Sequence, residues 1–193
     1  MIPSALPKIL LASKSPRRQQ LVFQLGLPFE VVDVSVEEKL DTPVPARDVA
    51  QTLAILKADG YGTELHAGEI LLTADTVVVL DGKVLGKPRS RTEAFGMLSA
   101  LSGKRHEVYT GVCLKDKDRK ISFSECTSVF FRELSEDAIN HYLDNYNYQD
   151  KAGAYGIQDW IGLWAVERLE GCYYNVMGLP VARICKELEK ISM

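Results

Sequence analysis

The sequence predicts an α/β fold built on a mixed β-sheet. Apolar, β-branched runs alternate with stretches of helical period along the whole chain. Short hairpin turns join some of those runs, and such turns exclude a purely parallel sheet. No internal repeat, low-complexity tract or long linker interrupts the 193 residues, so residues 1–193 read as one folded unit.

The elements follow in order. Ile9 to Ala12 reads as a short buried strand, and Ser15-Pro16 as a helix start, with serine at the N-cap and proline in the first turn. That helix runs to about Leu25 and stops at Gly26. A strand near Phe29 to Val34 and a polar loop through Pro45 precede a helix from about Ala46 to Tyr61, with Val49, Leu53 and Leu56 on its apolar stripe. Glu69 to Leu80 is rich in β-branched residues, and Asp81-Gly82 turns it back into Lys83 to Leu85. Ala94, Met97, Leu98 and Leu101 mark a helix that ends at Ser102-Gly103. Two strands flank the charged turn at Lys115 to Lys120, and a helix near Ser135 to Leu143 carries Glu136 and Asp137 in its first turn. A glycine-rich segment, a strand near Trp164 to Leu169, and a last helix bearing Val181, Ile184, Cys185, Leu188 and Ile191 complete the chain.

Composition narrows the class of function. The chain is 46% hydrophobic and 25% charged, as a globular protein is, and 23 basic against 26 acidic residues leave a formal charge of −3. That balance argues against a nucleic-acid partner, for which a basic footprint is expected, yet leaves room for a local cationic pocket. No run approaches the ~20 apolar residues of a membrane span, and Ile9 to Ala12 is too short for a signal-peptide core, so a cytoplasmic protein is expected. Cys113, Cys126, Cys172 and Cys185 form no C-x-x-C pair. They read as reduced, packed thiols rather than zinc ligands or disulfides.

Several segments carry residues suited to chemistry. In Leu11-Ala12-Ser13-Lys14-Ser15-Pro16-Arg17-Arg18 a strand gives way to a helix that opens on two arginines. Helix-start amides and dipole favour anions, and the Ser13 and Ser15 hydroxyls can add donors. Arg17 lies one turn before Leu21, and Arg18 three residues before it, so both project near the inward face. Snorkelling beside the core is the plainer role for such arginines. Asp75, within Thr73-Ala74-Asp75-Thr76-Val77, is out of place in an apolar strand. At a strand end it would cap a turn; in a cleft it could hold a cation or take a proton from water. Lys57 and Lys87 could meet phosphate, although an isolated lysine is more simply solvated. Glu37-Glu38 reads as solvated charge in a loop, and His106 as structural. Gly82 to Pro88 lacks the spacing and the hydroxyl of a Walker A loop, and no dinucleotide fingerprint or nucleophile elbow is present. In Asp150 to Gln158, small residues would let backbone approach a ligand, Tyr155 could stack, and Gln158 could donate and accept toward a base edge.

Taken in order, these stretches resemble the Maf family of nucleotide pyrophosphatases over nearly the whole chain. The resemblance is carried by Leu11 to Arg18, Ala74-Asp75-Thr76-Val77-Val78, Leu85-Gly86-Lys87-Pro88, Ser102 to Gly111, Asp150 to Gln158, and Asn175-Val176-Met177-Gly178-Leu179-Pro180. It implies an elongated, twisted mixed sheet flanked by helices, with two lobes around a central cleft, similar to inosine-triphosphatase folds. It implies attack of metal-assisted water on a nucleoside triphosphate, with Asp75 as proton acceptor. Ser13, Arg17, Arg18, Lys57 and Lys87 then look like phosphate contacts, and Glu38 aligns with an acidic residue that would help Asp75 hold magnesium or manganese. Arg17, Thr76 and Gln158 together are similar to the branch acting on dTTP and UTP. A homodimer is also implied. Departures flank the site: Asn147-Tyr148-Gln149 where glutamate-proline is usual, Asp159 and Thr73 where glycine is common, and Met177 where valine is usual. A nucleotide-binding regulator of cell division without turnover is the alternative, and a nucleic-acid binder using the arginine pair is disfavoured by the acidic balance.

Overall fold

The protein is described by a computed structural model covering residues 7–37, 40 and 42–191. Among the described residues seven strands form one mixed sheet: β1 (Lys8–Leu11), β2 (Phe29–Val31), β3 (Glu69–Leu80), β4 (Lys83–Leu85), β5 (Arg105–Lys115), β6 (Lys120–Phe131) and β7 (Val166–Glu170). Their order is β2-β1-β3-β5-β6-β7, with β4 paired to β3 off that path. β1 runs parallel to both β2 and β3, while β4 is antiparallel to β3 and β7 antiparallel to β6. The helices are α1 (Pro16–Gln24), α2 (Ala46–Asp59), α3 (Arg91–Leu101), α4 (Glu136–Asn145), α5 (Trp160–Ala165), α6 (Tyr173–Met177) and α7 (Val181–Ile191). The expected α/β class with a mixed sheet is the fold observed.

The chain divides into two compact units. One comprises residues up to Asp75 with Thr110–Glu125 and the segment from Gly178. The second comprises Thr76–Tyr109 and Cys126–Met177. In the first, Leu10, Ala12, Ala54, Ala58, Leu65, Leu71 and Cys113 form a core against which Val32, Val34, Ile55 and Tyr61 pack. The α2 stripe therefore consists of Ala50, Leu53, Ala54 and Ala58, and the expected Val49 and Leu56 are only half-buried. Alanines win because they let the helix lie close to the sheet. A Cβ added at Gly111 of β5 would stand 2.2 Å from the Ala50 carbonyl carbon. In the second unit, α3 buries Ala94, Leu98 and Leu101, and α4 buries Ala138, Ile139, Tyr142 and Leu143. Each fully buried leucine contributes about 1.5–3 kcal/mol.

Element boundaries match the sequence where a turn is chemically marked. Gly26 has φ +70 after α1, and Asp81 and Gly82 have φ +50 and +76 between β3 and β4, as a two-residue hairpin turn requires. Ser90 accepts a hydrogen bond from Glu93 N, and Ser135 one from Ala138 N, capping α3 and α4. Three expectations need correction. β2 ends at Val31 rather than Val34, although Val32 N still reaches Leu11 O at 3.0 Å. Trp164 and Ala165 belong to α5, so the strand expected from Trp164 begins at Val166. None of the four cysteines forms a disulfide, but Cys126 is exposed rather than packed. No helix among the described residues is long and apolar enough to cross a membrane.

Candidate active site

Parallel pairing of β1 with β3 builds the first half of the site. Leu11 is registered with Leu72, and Ala12 N donates to Leu72 O at 2.9 Å. The chain leaving β1 at Ser13 therefore departs beside the Thr73-Ala74-Asp75 stretch of β3. In open α/β sheets this carboxyl end of parallel strands is where ligands bind. The turn is held by Ser13 Oγ, which accepts from Ser15 N at 3.3 Å and from Arg18 Nη1 at 3.4 Å. Ser15 occupies the N-cap of α1 as expected, but its side chain makes no cap hydrogen bond; Ser13 supplies the local acceptor instead. No acidic residue lies in the first turn of α1, so Arg17 and Arg18 add charge to the positive end of the dipole. Both are half-buried. Arg18 Nε donates to Gly178 O at 2.8 Å, which fixes the direction of its guanidinium.

Asp75 does not cap a strand end. It lies midway along the twelve-residue β3, whose flanks Ile70–Ala74 and Val77–Leu80 are buried. Only at Asp75 and Thr76 does that buried run open to partial exposure. Lys57 is not solvated, as an isolated lysine would be. Its Nζ lies 2.7 Å from Asp75 Oδ1, with both side chains about one-sixth exposed at 15% and 16%. Thr73 explains the meeting. Its buried hydroxyl donates to Ala54 O at 2.6 Å and pins α2 to β3. Lys57 then follows Ala54 by one helical turn, and Asp75 follows Thr73 on the same strand face. The Thr73 hydroxyl is thus a clamp between the two elements.

The second unit gathers a different set. Thr76 is the residue after Asp75 on β3, and the boundary between the units falls at that peptide. Gly153 N donates to Gly86 O at 3.0 Å, which joins the glycine-rich segment to the strap carrying Lys87. Gly153 has φ +67, and a Cβ there would meet Val78 at 3.0 Å, so only glycine sits against β3 at that point. Lys87 and Gln158 are exposed. Tyr155 is buried and does not stack outward: its hydroxyl lies 2.8 Å from His106 Nε2. His106 packs edge-on against Phe131 and Tyr155, and burial pushes its pKa down to about 4, so its role is structural as expected. Glu38 lies outside the described residues.

Two buried polar residues, Lys151 and Asn175, lie in stretches that the sequence singles out without assigning them a role of their own. Lys151 is 6% exposed and bonds the Asn147 carbonyl and Asp150. Asn175 is fully buried and donates to Val108 O and Thr127 Oγ1, both at 3.0 Å. The partners of Asn175 lie 67 and 48 residues away in sequence, whereas those of Lys151 are its neighbours Asn147 and Asp150. Among the described residues no three His, Cys, Asp or Glu side chains gather into a metal cage.

The Maf family, described as Maf-like protein, matches residues 8–191. The chain belongs to the Maf family. Among the similar curated proteins is a dTTP/UTP pyrophosphatase of Bacteroides thetaiotaomicron, 45% identical over 95% of this chain and 96% of its own. Another, from Phocaeicola vulgatus, bears the same description and is 46% identical over the same shares. A third of that description, from Carboxydothermus hydrogenoformans, is 47% identical over 95% of this chain and 98% of its own. Among solved structures, the Staphylococcus aureus Ham1 protein aligns with 93% of this Maf chain and 99% of its own at 17% identity and a TM-score of 0.49.

Proposed function

We propose that this Maf protein hydrolyses pyrimidine nucleoside triphosphates, dTTP and UTP, to the nucleoside monophosphate and pyrophosphate. The observation that carries the reading is the Lys57–Asp75 pair, an acid and a cation at the opening in the buried Ile70–Leu80 run of β3, beside a helix start with two arginines. The pyrophosphatase description shared by relatives that match almost end to end supports that reaction.

A triphosphate repels an attacking oxygen, so the site must first neutralise charge. Arg17, Arg18, Lys57, Lys87 and the dipole of α1 bind the phosphates, with the Ser13 hydroxyl as a further donor. Asp75 orients the attacking water and takes its proton. The Lys57 ammonium at 2.7 Å fixes the carboxylate's direction. Asp75, with Glu38 as its partner, would hold a magnesium or manganese ion, which supplies charge neutralisation at the phosphate oxygens. Such an ion takes only one or two protein carboxylates and completes its shell with water and phosphate. The single described carboxylate fits that sharing and does not fit an all-protein cage. Thr76 and Gln158 contact the nucleoside, Gln158 through hydrogen bonds to the base. The reading places a homodimer in the cytoplasm, with no nucleic-acid or membrane partner.

The test is a panel of purine and pyrimidine triphosphates with magnesium or manganese, resolving monophosphate plus pyrophosphate from diphosphate plus phosphate. UTP and dTTP are expected to give the first pair only. Diphosphate plus phosphate would refute the reaction, and tight nucleotide binding without product would support the regulator instead.

A further inference from the structure

Gln158 is an amide, and a side-chain amide can present its oxygen or its nitrogen to a base by turning over. Its neighbour removes that freedom. Asp159 Oδ1 accepts a hydrogen bond from Gln158 Nε2 at 3.0 Å. Asp159 Oδ2 faces the Lys151 ammonium at 3.4 Å and accepts from the Tyr142 hydroxyl at 3.1 Å. Lys151 and Tyr142 are buried and fixed in turn, Lys151 by the Asn147 carbonyl and Asp150, and Tyr142 by accepting from Gly156 N at 3.2 Å. Burial, with the Asp159 charge, holds the Tyr142 hydroxyl well above its ordinary range, so it remains a donor. Gly156 completes the arrangement: a Cβ there would stand 2.6 Å from Asp159 Oδ2 and 2.7 Å from both Gln158 Nε2 and Lys151 Cε.

We infer that Asp159 is a positioning residue for base choice, which clamps the Gln158 amide so that its oxygen faces the ligand as an acceptor. The inference rests on the proposed role of Gln158 and deepens it. A carboxylate has no hydrogen to give, so the amide nitrogen must face it and Oε1 must face away. The outward edge then offers an acceptor with one remaining N–H beside it. Uracil and thymine present N3–H flanked by carbonyl oxygens, which complements that edge. Cytosine presents a bare N3 beside an amino group and needs the reverse order. An unclamped glutamine would serve both.

Asp159→Asn makes a sharp prediction. The two donors Lys151 and Tyr142 demand the asparagine oxygen, so its nitrogen turns toward Gln158 and the Gln158 amide inverts. The UTP-to-CTP ratio of kcat/KM is expected to fall at least about tenfold, with CTP turnover rising. Equal loss on both nucleotides, or no change on either, overturns the clamp. Asp159→Ala, which removes the acceptor without supplying a donor, is expected to bring the ratio toward unity, and an unchanged ratio there also counts against it. A probe for the wild-type protein is 3-methyl-UTP, whose N3 carries no hydrogen; turnover equal to that of UTP contradicts the outward acceptor. Gln158→Ala separates the two levels. Discrimination lost in Gln158→Ala but kept in both Asp159 variants overturns the clamp alone, whereas discrimination kept in Gln158→Ala overturns the base-reading role beneath it.

Discussion

Asp75 is an acid in the middle of a strand whose other positions favour apolar and β-branched side chains. A carboxylate in such a place needs a partner, and Lys57 supplies it at 2.7 Å. If the ammonium both directs that carboxylate and meets phosphate, Lys57→Met should lower turnover of UTP about 100-fold, the usual loss for a charge-stabilising donor. Steady-state rates on folded protein check this, and a Lys57→Met enzyme as fast as wild type would remove Lys57 from the site. Arg18 is held differently, by the Gly178 carbonyl and by Ser13 Oγ. A lysine keeps the charge but cannot reproduce a planar fork with two directed donors. Arg18→Lys is therefore expected to raise KM for the nucleotide about tenfold with a smaller effect on kcat. Unchanged KM would show that charge alone suffices there.

At the scale of elements, α2 is the part that carries Lys57 into place, and its close approach to the sheet depends on Gly111. A Cβ at that glycine would fall 2.2 Å from backbone atoms of Ala50 and Gln51, which cannot swing aside as a side-chain tip can. Gly111→Ala should thus destabilise the protein by at least about 1–3 kcal/mol, as overpacking does. It should also reduce activity by displacing Lys57 from Asp75. Urea melts alongside rate measurements test both, and a stable, active variant would mean that α2 adjusts freely. This element also shows what the sequence made legible. Helical period, hairpin residues and caps marked most elements, because those signals are local. Asp75 and the arginine pair stood out because they break local rules. Lys57 reads as solvated in the sequence because its partner lies in β3 and is brought close by the packing of α2 on the sheet and the Thr73–Ala54 hydrogen bond. A short apolar run reads alike in helix and strand, so the sequence alone puts Trp164 on a strand. Tyr155 looked available for stacking, but its hydroxyl is committed to His106.

Over the whole molecule, the residues expected to act together distribute by unit: Ser13, Arg17, Arg18, Lys57 and Asp75 in one, Thr76, Lys87 and Gln158 in the second. Stability of the second unit is linked to pH through His106. Burial lowers its folded pKa to about 4 from the ordinary 6.5, so the unfolded chain binds the proton first. The neutral ring's contribution is complete above about pH 6.5 and is lost as pH falls toward 4, roughly 3 kcal/mol over that window. Urea midpoints for wild type should fall across that range more steeply than those of His106→Gln, and parallel slopes would show that His106 is already charged when folded.

The cationic groups and the carboxylate have separable tasks, and Asp75→Asn separates them. The amide keeps the size of the side chain and leaves the phosphate-binding cations in place, but it cannot take a proton from water. Equilibrium binding of UTP and the rate of pyrophosphate release should be measured on the same preparation of wild type and variant, with magnesium present. Binding within several-fold of wild type, together with loss of at least about 100-fold in pyrophosphate release, is the predicted result. Pyrophosphate release near the wild-type rate would contradict the assignment of Asp75 and the mechanism built on it.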